Sequence, residues 1–135
     1  MDAEYFRVTK DAADRVNKAI DMKKNIFAVG TTSLRSLETA TSAHKYVKPM
    51  EGWTNIFIHP PYEAFIPTGL ITNLHMPKTP VLIMVTAFGG YDLVMEAYET
   101  AIKRLGDAAK NLTYEQRLAL IQQLQKLPRS IERHG

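Results

Sequence analysis

Apolar and polar residues alternate from Glu4 to Val8, which predicts a strand. Thr9 stands where a helix cap belongs. Ala12, Ala13, Val16, Ala19 and Ile20 then fall on one face of a helix running to Met22. Lys23-Lys24-Asn25 closes that helix, and Ile26 to Val29 reads as a short buried strand. Gly30 allows a sharp turn, and Thr31, Thr32 and Ser33 open a second helix with Leu34, Leu37 and Ala40 on its apolar side. Strand, helix, strand, helix is the pattern of layered α/β structure. The fold class expected is α/β, a layered domain with a mixed, largely parallel sheet flanked by helices, plus a C-terminal helical extension.

His44 to Gly52 reads as a connection broken by Pro49 and Gly52. Thr54 to Ile58 is β-branched and aromatic, so a strand is expected there. His59-Pro-Pro-Tyr62 must be a turn or an extended loop. Glu63 to Ile66 and Leu70 to Leu74 are strand candidates, and Pro67-Thr-Gly69 between them suggests a hairpin. Val81 to Phe88 is ambiguous by composition. Thr79 as cap, Pro80 at the first helical position and Gly89 at the end decide for a buried helix. Asp92 starts another helix, whose stripe is Val94, Ala97, Tyr98, Ala101, Ile102 and Leu105 and whose end is expected at Gly106. Thr113 with Gln116 forms a capping box for a last helix reaching Lys126, before Pro128. The division expected is a main α/β portion over 1–106 and a helical extension over 107–135 packed on it.

The 135 residues suit one hydrophobic core, and 45% hydrophobic with 23% charged residues is ordinary for a globular chain. The longest apolar run, Val81 to Val85, cannot span a bilayer, so no membrane association is expected. Asp2 and Glu4 and the lack of an apolar stretch argue against a signal peptide. The absence of cysteine excludes disulfides, thiolate metal sites and cysteine nucleophiles, and fits a cytoplasmic protein. The net charge of +3 comes from the tail. There Lys103, Arg104, Lys110, Arg117, Lys126, Arg129 and Arg133 outnumber Asp107, Glu115 and Glu132. Such a tail can touch RNA phosphates or be an ordinary solvated face.

The start of the second helix is the first candidate site. Its unpaired N–H groups and macrodipole attract anions, and three hydroxyls and Arg35 stand at the same place. This arrangement suits a phosphate, a carboxylate or a ribose hydroxyl. It suits an ordinary capped helix equally well. Arg35 and Glu38 are one turn apart and can pair on the surface. His75, at a strand end before a proline loop, is the best acid–base candidate, the alternative being a histidine that bonds a loop carbonyl. Trp53 and Tyr62 sit at element ends and are expected at a rim, while Phe57 and Phe65 suit the core. No histidine pair has metal-ligand spacing with a carboxylate, so no metal is expected.

Val29-Gly-Thr-Thr-Ser-Leu-Arg-Ser-Leu-Glu38 resembles a signature of the S-adenosylmethionine:tRNA ribosyltransferase-isomerases of queuosine biosynthesis. Met1-Asp-Ala-Glu-Tyr-Phe6, Gly52-Trp-Thr-Asn-Ile-Phe-Ile58, Pro60-Pro-Tyr62, Gly69-Leu-Ile-Thr-Asn-Leu-His-Met-Pro-Lys78 and Thr86-Ala-Phe-Gly-Gly90 follow the same resemblance in order. Separated motifs in fixed order are more specific than any one of them. The likeness runs from Met1 to Arg104 and is to the C-terminal part of the enzyme. It therefore implies a missing N-terminal part, with an inserted β-barrel domain, as a partner. The chain departs from the family pattern at Pro61, where glycine is usual, and at Leu74-His-Met-Pro77. It keeps Gly106-Asp-Ala108 of an ending that is otherwise aromatic.

The resemblance implies transfer and isomerisation of the ribosyl part of S-adenosylmethionine onto 7-aminomethyl-7-deazaguanine in tRNA. Adenine and methionine leave, and epoxyqueuosine forms. S-adenosylmethionine is then the donor substrate and a tRNA the partner. His75 would be catalytic. Gly30, Thr31, Thr32, Ser33, Arg35, Trp53, Tyr62, Asn73 and Lys78 would bind substrate, and the isolated chain would be inactive. A different class of reading is a non-catalytic RNA- or protein-binding domain derived from that family.

Overall fold

A computed structural model of the chain describes residues 1–62, 65–75, 78–109, 113 and 115–116. It divides into two compact units, Met1–Phe88 and Gly89–Gly135.

In the first unit the chain runs β1 (Glu4–Val8), α1 (Lys10–Asp21), β2 (Phe27–Val29), α2 (Thr31–Thr39), β3 (Met50–Thr54), β4 (Gly69–Ile71) and α3, which starts at Pro80 and ends at Gly89. The α/β class holds. Thr9 caps α1, its Oγ1 accepting the Ala12 N–H at 3.1 Å. The strands form two ladders of two. β1 and β3 pair antiparallel from Glu4 opposite Thr54 to Val8 opposite Met50. β2 and β4 pair parallel from Phe27 beside Gly69 to Val29 beside Ile71. Among the described residues parallel pairing is therefore confined to β2 and β4 rather than extending through one larger sheet.

Two strand expectations are corrected. The strand expected over Thr54 to Ile58 lies earlier, at Met50–Thr54. The five residues of β1 limit the ladder, and past Thr54 the chain turns inward, leaving Ile58 fully buried. The Ile56 carbonyl accepts from Arg35 Nε at 3.2 Å instead of pairing in a sheet. Among the described residues no hairpin forms around Pro67-Thr-Gly69: β4 pairs with β2, and the Ile66 N–H donates to the Glu38 carboxylate at 2.7 Å. Glu63 and Ala64 lie outside the described residues.

The core of this unit has two clusters. Phe6, Val8, Ala13, Ala40, Val47 and Ile66 make one, against α1. Ala28, Leu34, Ile58 and Met84 make the other, with Phe65 and Phe88 at its margin. Helix α2 serves both, since Leu37 packs on the first and Leu34 lies in the second. Helix α3 starts as expected: the Leu82 N–H donates to Thr79 Oγ1 at 3.3 Å, and Pro80 begins the helix.

In the second unit α4 spans Tyr91–Ala109 and runs through Gly106, so that glycine does not end it. Val94 and Tyr98 are buried, while Ile102 of the expected stripe is exposed. The Thr113–Gln116 capping box is present: the Thr113 N–H donates to Gln116 Oε1 at 3.0 Å, and the Gln116 N–H donates to Thr113 Oγ1 at 3.2 Å. The remainder of the expected last helix lies outside the described residues. Among the described residues no single helix is long and apolar enough to cross a membrane.

Candidate functional site

Parallel pairing makes strands finish at the same edge. The carbonyl of Ile71, the last residue of β4, accepts the Gly30 N–H at 2.8 Å. The turn into α2 and the segment Thr72 to His75 therefore leave the β2–β4 ladder side by side. The crevice beyond the carboxyl ends of strands is where α/β sheets gather ligand sites.

Gly30 makes the first of these exits possible. Its φ of 92° with ψ of 150° is a conformation that is essentially confined to glycine. It is the N-cap of α2 and has no side chain to cap the helix. The hydroxyl-cap alternative is thus not the one adopted, and the helix start keeps N–H groups for another acceptor. Thr31 and Thr32 are half-buried there and Ser33 is exposed. Thr32 Oγ1 also donates to Glu4 Oε1 at 3.4 Å, which ties the first turn of α2 to β1.

On the other exit, Thr72 Oγ1 and His75 Nε2 lie 2.8 Å apart. Partial burial lowers the His75 pKa from its ordinary value, so the imidazole favours its neutral form. A neutral imidazole can take a proton, and the Thr72 hydroxyl orients the ring. Asn73 is exposed beside it. Thr72 is absent from the sequence-derived candidates; its signal is its place as the first residue after β4. Met76 and Pro77 lie outside the described residues. Lys78, exposed, sits in a left-handed turn with φ of 61° just ahead of α3.

Three other candidates sit elsewhere. Arg35 is buried and does not pair with Glu38. Its Nη1 donates to Glu4 Oε2 at 2.5 Å, its Nη2 to the Asp2 carbonyl at 3.2 Å and its Nε to the Ile56 carbonyl. Arg35 thus holds β1 and the strand-to-coil passage after β3 against α2. Tyr62 donates to Glu38 Oε2 at 2.8 Å, near the far end of α2 from Thr31. Burial first, and then this bond to Glu38, raise the Tyr62 pKa, so the phenol stays protonated. Trp53 is 71% exposed and stacks edge-on with Tyr5, ring centroids 5.8 Å apart. Side chains alternate along β1, so Tyr5 and its cross-strand neighbour Trp53 face outward, whereas Glu4 reaches Thr32 and Arg35 of α2, and Phe6 and Val8 join the buried cluster against α1. The fold therefore starts α2, with Gly30, Thr31, Thr32 and Ser33, and the segment carrying Asn73 and His75 from one edge of the β2–β4 ladder, while Trp53 pairs with Tyr5 and Tyr62 with Glu38. Among the described residues no group of three or more His, Cys, Asp or Glu side chains is placed to hold a metal ion.

The family described as queuosine biosynthesis protein matches residues 1–105. An S-adenosylmethionine:tRNA ribosyltransferase-isomerase of Phocaeicola vulgatus is 50% identical over 103 residues, covering 76% of this chain and 29% of the relative. The protein of the same name from Cytophaga hutchinsonii is 50% identical over 103 residues, with 76% and 30% covered. A crystal structure of S-adenosylmethionine tRNA ribosyltransferase from Thermotoga maritima superposes with a TM-score of 0.64 at 37% identity. That match covers 74% of this chain and 35% of the other. The chain thus spans about 30% of the length of the curated relatives it matches.

Proposed function

The chain belongs to the queuosine biosynthesis protein family, and on that premise we propose that it forms the α/β portion of an S-adenosylmethionine:tRNA ribosyltransferase-isomerase acting in the cytoplasm. The reaction would move the ribosyl part of S-adenosylmethionine onto 7-aminomethyl-7-deazaguanine in tRNA, releasing adenine and methionine and leaving epoxyqueuosine. One observation carries the reading: the Val29–Ile71 register delivers the uncapped start of α2 and the Thr72–His75 pair to one edge.

The division of labour follows from the chemistry of these groups. The N–H groups of the first turn of α2, with Thr31, Thr32 and Ser33, take a carboxylate or ribose hydroxyls of the donor. The sulfonium acidifies a neighbouring ribosyl C–H, and neutral His75 accepts that proton. Asn73 and Lys78 contribute polar contacts from the same segment. Arg35 acts by fixing the helix that carries the threonines.

The test is a chimera in which residues 1–103 of this chain replace the matching segment of the Phocaeicola vulgatus relative. Its purified form is assayed for epoxyqueuosine in precursor tRNA. Product is expected, with a loss of about 10²-fold or more on His75→Gln. A folded chimera that forms none would refute the assignment.

A further inference from the structure

The opposite edge of the β2–β4 ladder carries a hollow. It has a volume of about 370 Å³, and Ile20, Phe65 and Ile66 give it an apolar floor. Lys23, Lys24 and Lys45 stand around it, all exposed. Ile26 and Thr68, the residues just before β2 and β4, also line it, so it lies across the ladder from Gly30 and Thr72. The volume falls within the range of small-ligand pockets. A cationic rim over an apolar floor matches one nucleotide unit, with its base on the hydrocarbon and its phosphates on the ammonium groups.

The backbone adds weight to the lysines. Lys24 N–H donates to the Ala19 carbonyl at 2.9 Å and Lys23 N–H to the Ile20 carbonyl at 3.0 Å, which is a Schellman ending for α1. Lys23 holds the left-handed position of that motif, φ 52°, where glycine is the usual residue. Lys45 is also left-handed, φ 63°. The chain thus places long cations at two positions where glycine fits with less strain. Acidic groups nearby are engaged. Asp21 accepts from the Tyr46 hydroxyl at 2.5 Å, and Glu38 is buried and accepts from Tyr62 and Ile66.

We propose that Lys23, Lys24 and Lys45 form a docking site for an unpaired nucleotide of the RNA substrate. The proposal rests on the tRNA reading above for the identity of its partner.

The probe is a fluorescein-labelled RNA stem–loop with an unpaired loop, titrated with the full chain by fluorescence anisotropy at several salt concentrations. Lys23→Gly and Lys45→Gly relieve the left-handed strain, so their melting temperatures should equal or exceed that of the parent. Each should nevertheless weaken RNA binding, and the double variant should do so about tenfold. The slope of log affinity against log salt should fall by about 0.7 for each lysine lost. No RNA binding by the parent chain, or affinity and salt slope unchanged in the double variant, would overturn the site. So would adenosine monophosphate binding as tightly as the stem–loop, since the ligand would then be a free nucleotide. The chimera separates the two readings. An active chimera indifferent to Lys23→Gly and Lys45→Gly in RNA affinity defeats the docking site alone. An inactive chimera, with lysine-dependent RNA binding by the chain, defeats the enzymatic reading alone.

Discussion

Arg35 Nη1 lies 2.5 Å from Glu4 Oε2, the arginine side chain being 2% exposed and the glutamate 39%. One end of the pair is buried and the other reaches water. Removing the arginine leaves a cavity and strips the Ile56 and Asp2 carbonyls of their donor. Removing only the charge of Glu4 keeps an acceptor near the guanidinium.

Arg35→Ala should therefore destabilise the chain by about 3 kcal/mol, from the cavity left behind and the two carbonyls that lose their donor. Glu4→Gln should cost less, because the amide oxygen still accepts and the site is partly solvated. Urea unfolding followed by circular dichroism measures both. Equal and small losses would mean that the guanidinium network is not what joins β1 to α2.

Gly30→Ala places a Cβ on a backbone with φ of 92° and ψ of 150°. That conformation costs a non-glycine residue about 1–3 kcal/mol. The variant should lose roughly that stability, or else shift the first turn of α2 away from Ile71, whose carbonyl holds the Gly30 N–H. The amide shifts of Thr31 and Thr32 and the melting temperature distinguish the two outcomes. A variant unchanged in both would show that the turn tolerates a side chain.

The sequence displayed this turn clearly, because a glycine between an apolar strand and a hydroxyl-rich helix start has few other readings. The caps at Thr9, Thr79 and Thr113 were equally legible, since each depends on residues three apart. Arg35 was not. Its side chain is drawn inward by Glu4, 31 residues away, and by the carbonyls of Asp2 and Ile56, and no local pattern encodes such contacts. The shift of the third strand from Thr54–Ile58 to Met50–Thr54 has the same origin. β-propensity marked the apolar residues, but the partner strand decided which of them pair. The meeting of Gly30 with Ile71 depends on parallel register, which periodicity within one segment cannot express.

Glu38 carries a pH prediction. Burial raises its pKa above 4.5, opposed by the Ile66 N–H, the Tyr62 hydroxyl and Lys45. The folded chain thus retains a proton that the unfolded chain has released between 4.5 and the raised value. Glu38's contribution is fully present below 4.5 and is lost as pH rises through the folded pKa. Glu38→Gln should flatten that part of the stability–pH curve while still accepting from Ile66. Glu38→Ala should cost about 1–3 kcal/mol by leaving the Ile66 N–H and Tyr62 hydroxyl unpaired. Thermal melts across this range test it, and an unaltered slope in Glu38→Gln would assign the pH dependence to another group.

His75 titrates in the opposite sense. Burial lowers its pKa below 6.5, so the folded chain binds fewer protons than the unfolded chain between the two values. The stability it contributes is present above 6.5 and lost as pH falls through the folded pKa. If neutral His75 is the base in the chimera, the midpoint of the acidic limb of the rate should lie below pH 6.5. His75→Gln should lower the rate by about 10²–10⁴-fold and remove that acidic limb. Thr72→Val should shift the limb and lower the rate less, because Thr72 orients the ring and does not itself take the proton. The pH–rate profiles of the three proteins provide the comparison. An acidic limb that persists unchanged in His75→Gln would place the proton acceptor on a residue other than His75.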